Sequence, residues 1–406
     1  MRGWILLLLL ALLLAGFGPP RPVFAQAEFT DAVVDYAFGE TATFSARLHS
    51  PAPIQEAVIL FRSESDSHTE VQPVAVTPEG EGVFQLSYTH NLSERPLPSF
   101  AHVNYKFQVT VQGGQVMTSA DFDFFYQDNR FQWQSLEEAP FRVYWTEGDV
   151  AFGQSVIDVA QLGLRRAQSL LSGPAPQAMD IYVYPSARQM LATLGQSGQN
   201  WAAGHADPNL GLVVVALPLG PDQRLLMEQR IPHELMHLLL FQAVGPSYSN
   251  LPTWFNEGLA SISELYPNPD YQILLNNAQQ RDHLLPIASL CRAFPVDASS
   301  ALLAYAQSAS FTRYLHQRFG TSGLNDLVLS YANGLDCNRA PEAALGLSLN
   351  QLERQWQQET FAEKMVLKIL NNLLPWIILL VAVLGVPLGL TLFRLRKPPE
   401  RQLLNS

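Results

Sequence analysis

Two apolar stretches, one at each end, bound what this chain can fold into. Residues 1–25 and 373–393 are rich in Leu, Ile and Val and nearly free of charge. Neither suits the core of a globular domain. Set apart with their flanks, they leave roughly 340 residues, too many for one average domain and suited to two. That body is no polyelectrolyte, because the chain is 10% aromatic and only 15% charged, so a large core can form.

Charge is unevenly divided. Residues 26–363 hold 17 Lys+Arg against 35 Asp+Glu, while the two ends together hold eight basic residues and one acidic. A body this acidic binds phosphate poorly, so nucleic acid is not an expected partner. At the start, Arg2 is followed by the apolar run Ile5–Leu14, by the helix breakers Gly16 to Pro20, and by small residues at Ala25 and Ala27. This is the shape of a secretory signal peptide over 1–25, with an uncleaved anchor as the alternative. The second stretch, Leu373–Phe393, is long enough to cross a bilayer as a helix. Arg394, Arg396, Lys397 and Arg401 follow it, against Lys364 and Lys368 before it. The excess of basic charge places the tail 394–406 in the cytoplasm and the body outside, in a single-pass cell-membrane protein. The membrane is then the partner of the C-terminal helix. The only cysteines, Cys291 and Cys337, lie in the exported part. An even count in an oxidising compartment favours one disulfide over shared metal ligation.

Residues 27–126 read as a β-sandwich, immunoglobulin-like in its strand spacing. Alternation marks Thr43–Leu48, Ala57–Phe61, Phe84–Tyr88, Tyr105–Val111 and Phe122–Tyr126, and turn signals fall at Ser50-Pro51, Thr77 to Gly80 and Gly113-Gly114. Residues 127–140 read as a linker. The pattern then turns mixed over 141–362. Strands are expected at Phe141–Trp145, Met179–Tyr184 and Gly211–Leu217, helices at Phe152–Leu171 and Ala187–Leu194, and mainly helix from Asp222 onward.

The chemistry-bearing segment is Ile231-Pro232-His233-Glu234-Leu235-Met236-His237-Leu238. Positions four apart share a helix face, so His233 and His237 can meet one metal ion, while Glu234 projects toward a water on that ion and can act as general base. Pro232 means either that the helix over Asp222–Ala243 bends or that the ligand helix begins there. A hydrolytic zinc site takes three protein ligands and one open position. Glu257, in Trp254-Phe255-Asn256-Glu257-Gly258-Leu259-Ala260, is the third candidate, folded back by a turn at Gly245-Pro246 and a second helix from about Thr253.

Together, His-Glu-x-x-His and Trp-Phe-Asn-Glu-Gly-Leu-Ala resemble the gluzincin branch of zinc metallopeptidases, and most of all the peptidase-MA-like group. The resemblance spans about residues 141–362 and takes in Trp201–Gly204, Gly211–Ala216, Tyr305–Leu315, Phe319-Gly320 and Leu345–Ser348. It implies an α+β metallopeptidase domain of sheet and helices with a cleft between. It also implies one Zn2+ per chain on His233, His237 and Glu257, Glu234 as catalytic base, and a peptide or protein substrate. One departure stands out. Several gluzincins carry an aspartate four residues beyond the ligand glutamate to support the first histidine, and here that position is Ser261. A serine hydroxyl or a backbone carbonyl is then expected on the imidazole. For the oxyanion, Tyr305 is the candidate and Tyr248 the runner-up. His205 is expected in a loop rather than as a fourth ligand, and Arg313 in an ion pair rather than on a substrate carboxylate. Gly211–Ala216 is the expected sheet edge for an extended substrate.

The whole reads as a multi-domain protein: a β-sandwich, a gluzincin domain and one transmembrane helix. The expected function is a membrane-anchored, outward-facing zinc metallopeptidase, the sandwich serving as spacer or as binding module for a partner of its own. The alternatives are a surface binding or adhesion module with a structural or inactive metal site, and a zinc hydrolase of another amide.

Overall fold

The structure, a computed structural model, describes residues 28–64, 66–195, 204–361, 373–381, 383 and 384. The expected signal peptide, most of Trp201–Gly204, the cytoplasmic tail and half of the expected membrane span lie outside these. Residues 373–381 are helical and apolar side chains among them are exposed. Among the described residues no helix is long and apolar enough to cross a membrane. The chain divides into two compact units, one of residues up to Ser155 with Ala178–Gln223, the other of Val156–Gln177 with the chain from Arg224 on.

The first unit opens with two antiparallel sheets. One has the order β1-β2-β6-β5, from β1 (Glu28–Ala37), β2 (Thr41–His49), β6 (Val83–Asn91) and β5 (Ala75–Gly80). The other has the order β4-β3-β7-β8, from β4 (Glu70–Pro73), β3 (Ile54–Ser63), β7 (Ala101–Val111) and β8 (Val116–Thr118), with β9 (Phe122–Tyr126) also on β7. Side chains two apart share a face, so β2 sends Ala42, Phe44, Ala46 and Leu48 inward, and β7 sends Val103, Tyr105, Phe107, Val109 and Val111. The two sets share one core, in which Phe44 and Phe61 stack at 5.3 Å. Thr77 to Gly80, read as a turn from sequence, belongs to β5; the reversal falls at Glu81-Gly82, where Gly82 has φ of 71°. Pro78 is a turn residue by type, yet β5 is an edge strand, where a missing N–H is tolerated. The register of strand β1 shifts between Thr30 and Val33, which breaks its alternation.

A third, mixed sheet follows in the same unit, with the order β10-β11-β12-β14-β13. Its strands are β10 (Gln134–Glu138), β11 (Phe141–Trp145), β12 (Met179–Tyr184), β13 (Gly204–Asp207) and β14 (Leu212–Ala216). The expected linker is therefore partly strand, since β10 pairs antiparallel with β11. It is charged and short, so its pattern hid it. Strands β11, β12 and β14 run parallel, and β14 is buried at all five positions, as an interior parallel strand should be. It is not the edge that the sequence suggested: β13 pairs outside it, and His205 sits on that strand rather than in a loop. Phe100, just before β7, meets Tyr182 at 4.3 Å, and Asp128, buried, accepts from Arg130, Thr193 and Tyr184.

The second unit is helical. It holds most of α1 (Val150–Leu170), then α3 (Gln223–Val244), α4 (Thr253–Ser263), α5 (Asp270–Gln280), α6 (Ala298–Ala332), α7 (Arg339–Leu345) and α8 (Leu349–Thr360); the short α2 (Ala187–Thr193) belongs to the first unit. Gly320, with φ of 67° and ψ of −171°, breaks α6 into two. Trp254, Phe255, Phe311, Tyr331 and Trp356 centre one apolar core. Cys291 and Cys337 form a disulfide.

Candidate metal centre

The site grows from two helices and the turn between them. Helix α3 runs unbroken through Pro232, so it neither stops nor starts there. It carries His233 and Glu234 on one turn and His237 on the next. A 3₁₀ helix over Gly245–Asn250 reverses the chain, and α4 opens at Thr253. Gly258 lets α4 approach α6 closely, since a Cβ there would lie 2.7 Å from the Ser308 carbonyl oxygen. This delivers Glu257 to the two histidines.

One ligand atom each from His233, His237 and Glu257 lies within 4.8 Å of the others. Glu257 Oε2 is 3.3 Å from His233 Nε2 and 3.8 Å from His237 Nε2. Four-coordinate zinc with bonds of 2.0–2.1 Å keeps its donors about 3.3 Å apart, so Glu257 Oε2 stands close to that spacing from each ring nitrogen. The opposite ring nitrogens are held. His233 Nδ1 meets Glu264 Oε1 at 3.0 Å, and His237 Nδ1 meets Asn256 Oδ1 at 3.0 Å and the Tyr248 hydroxyl at 3.2 Å. A carboxylate and an amide oxygen only accept, which puts a proton on each Nδ1 and aims each Nε2 at Glu257.

The electrostatics fit a cation. Burial holds His237 below the ordinary imidazole range, in the neutral form a metal requires. Burial opposes charge on His233 as well, but its hydrogen bonds to Glu257 and Glu264 and the charge of Glu234 outweigh it and hold this ring well above the usual value. Burial would raise Glu257, yet the two histidines pull it below the ordinary carboxylate range, whereas burial leaves Glu264 raised. Three acids therefore crowd one imidazole, and together they favour positive charge at this position. A divalent ion at the Nε2 side would serve the same acids.

Ser261 does not take the place of the missing aspartate. Glu264, seven residues past Glu257, supports His233. Nothing in local spacing singled it out, because it follows the last residue of α4, where a carboxylate reads as a solvated helix end. Asn256 was visible only as the neighbour of Glu257. Tyr305 lies at the site: its hydroxyl bonds to Glu257, its ring centroid is 6.3 Å from that of His233, and burial raises its pKa. Tyr248 instead buttresses His237, and accepts from Asn256 Nδ2 at 2.8 Å. Arg313 is exposed and biases the charge of Glu264. Tyr271, also raised by burial, senses Glu264 and Glu257.

The family model of the peptidase MA superfamily matches residues 159–362, half of the chain. The chain belongs to the peptidase MA superfamily. Its peptidase MA region takes in His233, Glu234, His237, Glu257 and Glu264 and leaves the N-terminal β-rich region outside. No curated protein matches the chain. Among solved structures, an aminopeptidase N family protein from Idiomarina loihiensis is similar at 9% identity and a TM-score of 0.35, over 82% of this chain and 76% of that one. OgpA from Akkermansia muciniphila is similar at 15% identity and a TM-score of 0.21, over 27% of this chain and 29% of its own. A structure described as a myokine is similar at 12% identity and a TM-score of 0.20, over 24% of this chain and 95% of that one. The chain thus spans less than a third of OgpA, and at TM-scores below 0.5 these likenesses carry no argument about the peptidase MA site.

Proposed function

We propose that this chain is a zinc-dependent metallopeptidase, anchored in a membrane with its β-rich and helical regions outside the cytoplasm. The observation that carries the reading is the convergence of His233, His237 and Glu257, with Glu234 on the same turn of α3. Two imidazole nitrogens and one carboxylate are the donor set of a hydrolytic zinc site with a fourth position open. When bound, the ion supplies Lewis acidity to an attacking water and to a substrate carbonyl.

The chain's own groups do the rest. Glu264 and Asn256 orient the two imidazoles. Glu234 takes the proton from the attacking water and passes it to the leaving amine. Tyr305, kept protonated by burial, offers its hydroxyl to the oxygen that gains charge. Glu264 on His233 supplies the support that an aspartate at position 261 would give. The strand orders β1-β2-β6-β5 and β4-β3-β7-β8 support an immunoglobulin-like sandwich, here read as a spacer or binding module. The Cys291–Cys337 disulfide suits an oxidising compartment. The charge asymmetry around 373–393 supports the anchoring and its direction.

The test takes the full-length chain, measures zinc content, and assays a broad peptide library beside Glu234→Gln. We expect about one zinc per chain in both proteins and cleavage by the unsubstituted chain alone. No bound metal sinks the reading. Zinc without cleavage of any peptide leaves a binding module or a hydrolase of another amide.

A further inference from the structure

A proline in the middle of a buried helix removes one hydrogen-bond donor. Pro232 has no N–H, so the carbonyl four residues earlier, that of Glu228, receives nothing from it. In this chain that carbonyl accepts a bond from outside the helix: the backbone N–H of Leu265 donates to Glu228 O at 2.9 Å. Leu265 follows Glu264 directly, and Glu264 Oε1 is the acceptor on His233 Nδ1 at 3.0 Å. The Ser263 hydroxyl, shared with the Ala260 carbonyl, also lies 2.9 Å from the Pro232 carbonyl oxygen. The segment Ser263–Leu265 is thus tied to α3 on both sides of Glu264. Helix α1 closes over the proline, since a Cβ on Gly163 would lie 2.9 Å from Pro232 Cγ.

We propose that Pro232 is a positioning residue for the metal centre. By freeing the Glu228 carbonyl for Leu265, it seats Glu264 on His233 and sets that ring's orientation. This rests on the metal reading above for its use in catalysis, but not for its structure. The relay explains how the chain dispenses with an aspartate at position 261. A carboxylate beyond the end of α4 can reach His233 only if the chain there is held against α3. Helix α3 offers a backbone acceptor to that chain because Pro232 leaves one open. An alanine at 232 would restore the internal N–H, which would then compete with Leu265 for the same oxygen.

Two measurements on the full-length chain test it, on Pro232→Ala, Glu264→Ala and the double variant. The first is metal-independent: the ring-nitrogen NMR shifts of His233 in chelator-treated protein at one fixed pH. We expect Pro232→Ala to move the Nδ1 resonance toward its position in Glu264→Ala. An unmoved resonance overturns the proposal. The second is zinc affinity by chelator competition. We expect Pro232→Ala to weaken binding about tenfold, within the range for loss of a ligand-supporting contact. The double variant should be no weaker than Glu264→Ala, because both act through one carboxylate. Additive losses overturn the relay, and with it the role of Pro232. Should the unsubstituted chain bind no zinc, the metal reading fails by itself, and the ring shifts still decide the relay. Loss of packing against Gly163 would lower thermal stability but would leave the two single variants independent of each other.

Discussion

The indole N–H of Trp254 donates to Cys337 Sγ at 3.3 Å, while the neighbouring Thr253 gives its backbone N–H to the Cys291 carbonyl at 3.0 Å. The two halves of the disulfide therefore grip the first turn of α4, the helix that carries Glu257. The bridge closes a loop with a sequence separation of 46.

Replacing both cysteines by serine should lower unfolding stability by about 4 kcal/mol, on the chain-entropy estimate for such a loop. Urea denaturation of the helical unit's signal measures it. A change below about 1 kcal/mol would mean that packing alone holds α4.

Asn256 holds His237 as Glu264 holds His233. Asn256→Ala should keep the fold and weaken zinc binding by about 10–100-fold, as losses of ligand-supporting hydrogen bonds do. Chelator competition reads it. Unchanged affinity would show that Tyr248 alone suffices to orient the ring.

Gly258 sits where a methyl group has no room. A Cβ there would meet the Thr312 hydroxyl and the Ser308 carbonyl oxygen. Gly258→Ala should cost about 1–3 kcal/mol from overpacking. Adding Thr312→Ala should recover only part, since the Ser308 backbone remains. Thermal unfolding of the single and double variants tells these apart, and full recovery would mean the helices can shift there freely.

Asp128 gives the first unit an acid-sensitive joint. Burial pushes its carboxyl up, but the Arg130 guanidinium and the Thr193 hydroxyl pull it down further and leave it below the ordinary range. Between that lowered value and about 3.9 the unfolded chain binds a proton that the folded chain does not. The contribution is therefore complete above about pH 4 and lost as pH falls through the folded value. Asp128→Asn should be less stable by about 2 kcal/mol near neutrality, with Arg130, 44% exposed, partly compensated by water. Denaturation curves of the two proteins should converge on acidification. A gap that stays constant down to pH 2 would count against this assignment.

Short-range order is legible in the residue pattern. Alternation gave away β2, β3 and β7, because a half-buried strand must repeat every two residues. The four-residue step from His233 to His237 is a property of any helix. Charge and proline hid β10 and misassigned Thr77 to Gly80, since edge strands tolerate both.

What the sequence by itself determined is the inventory and its local geometry: the two histidines and Glu234 on one helix, Glu257 on the next, and two cysteines able to pair. Only the tertiary structure decided which groups hold those side chains. Glu264 rather than Ser261 meets His233, Asn256 meets His237, and the carbonyl left open by Pro232 receives Leu265. The reason is physical. Periodicity reports which residues share a face, but a hydrogen bond between helices depends on how closely those helices pack and on where a chain end is pinned, and no local spacing records either.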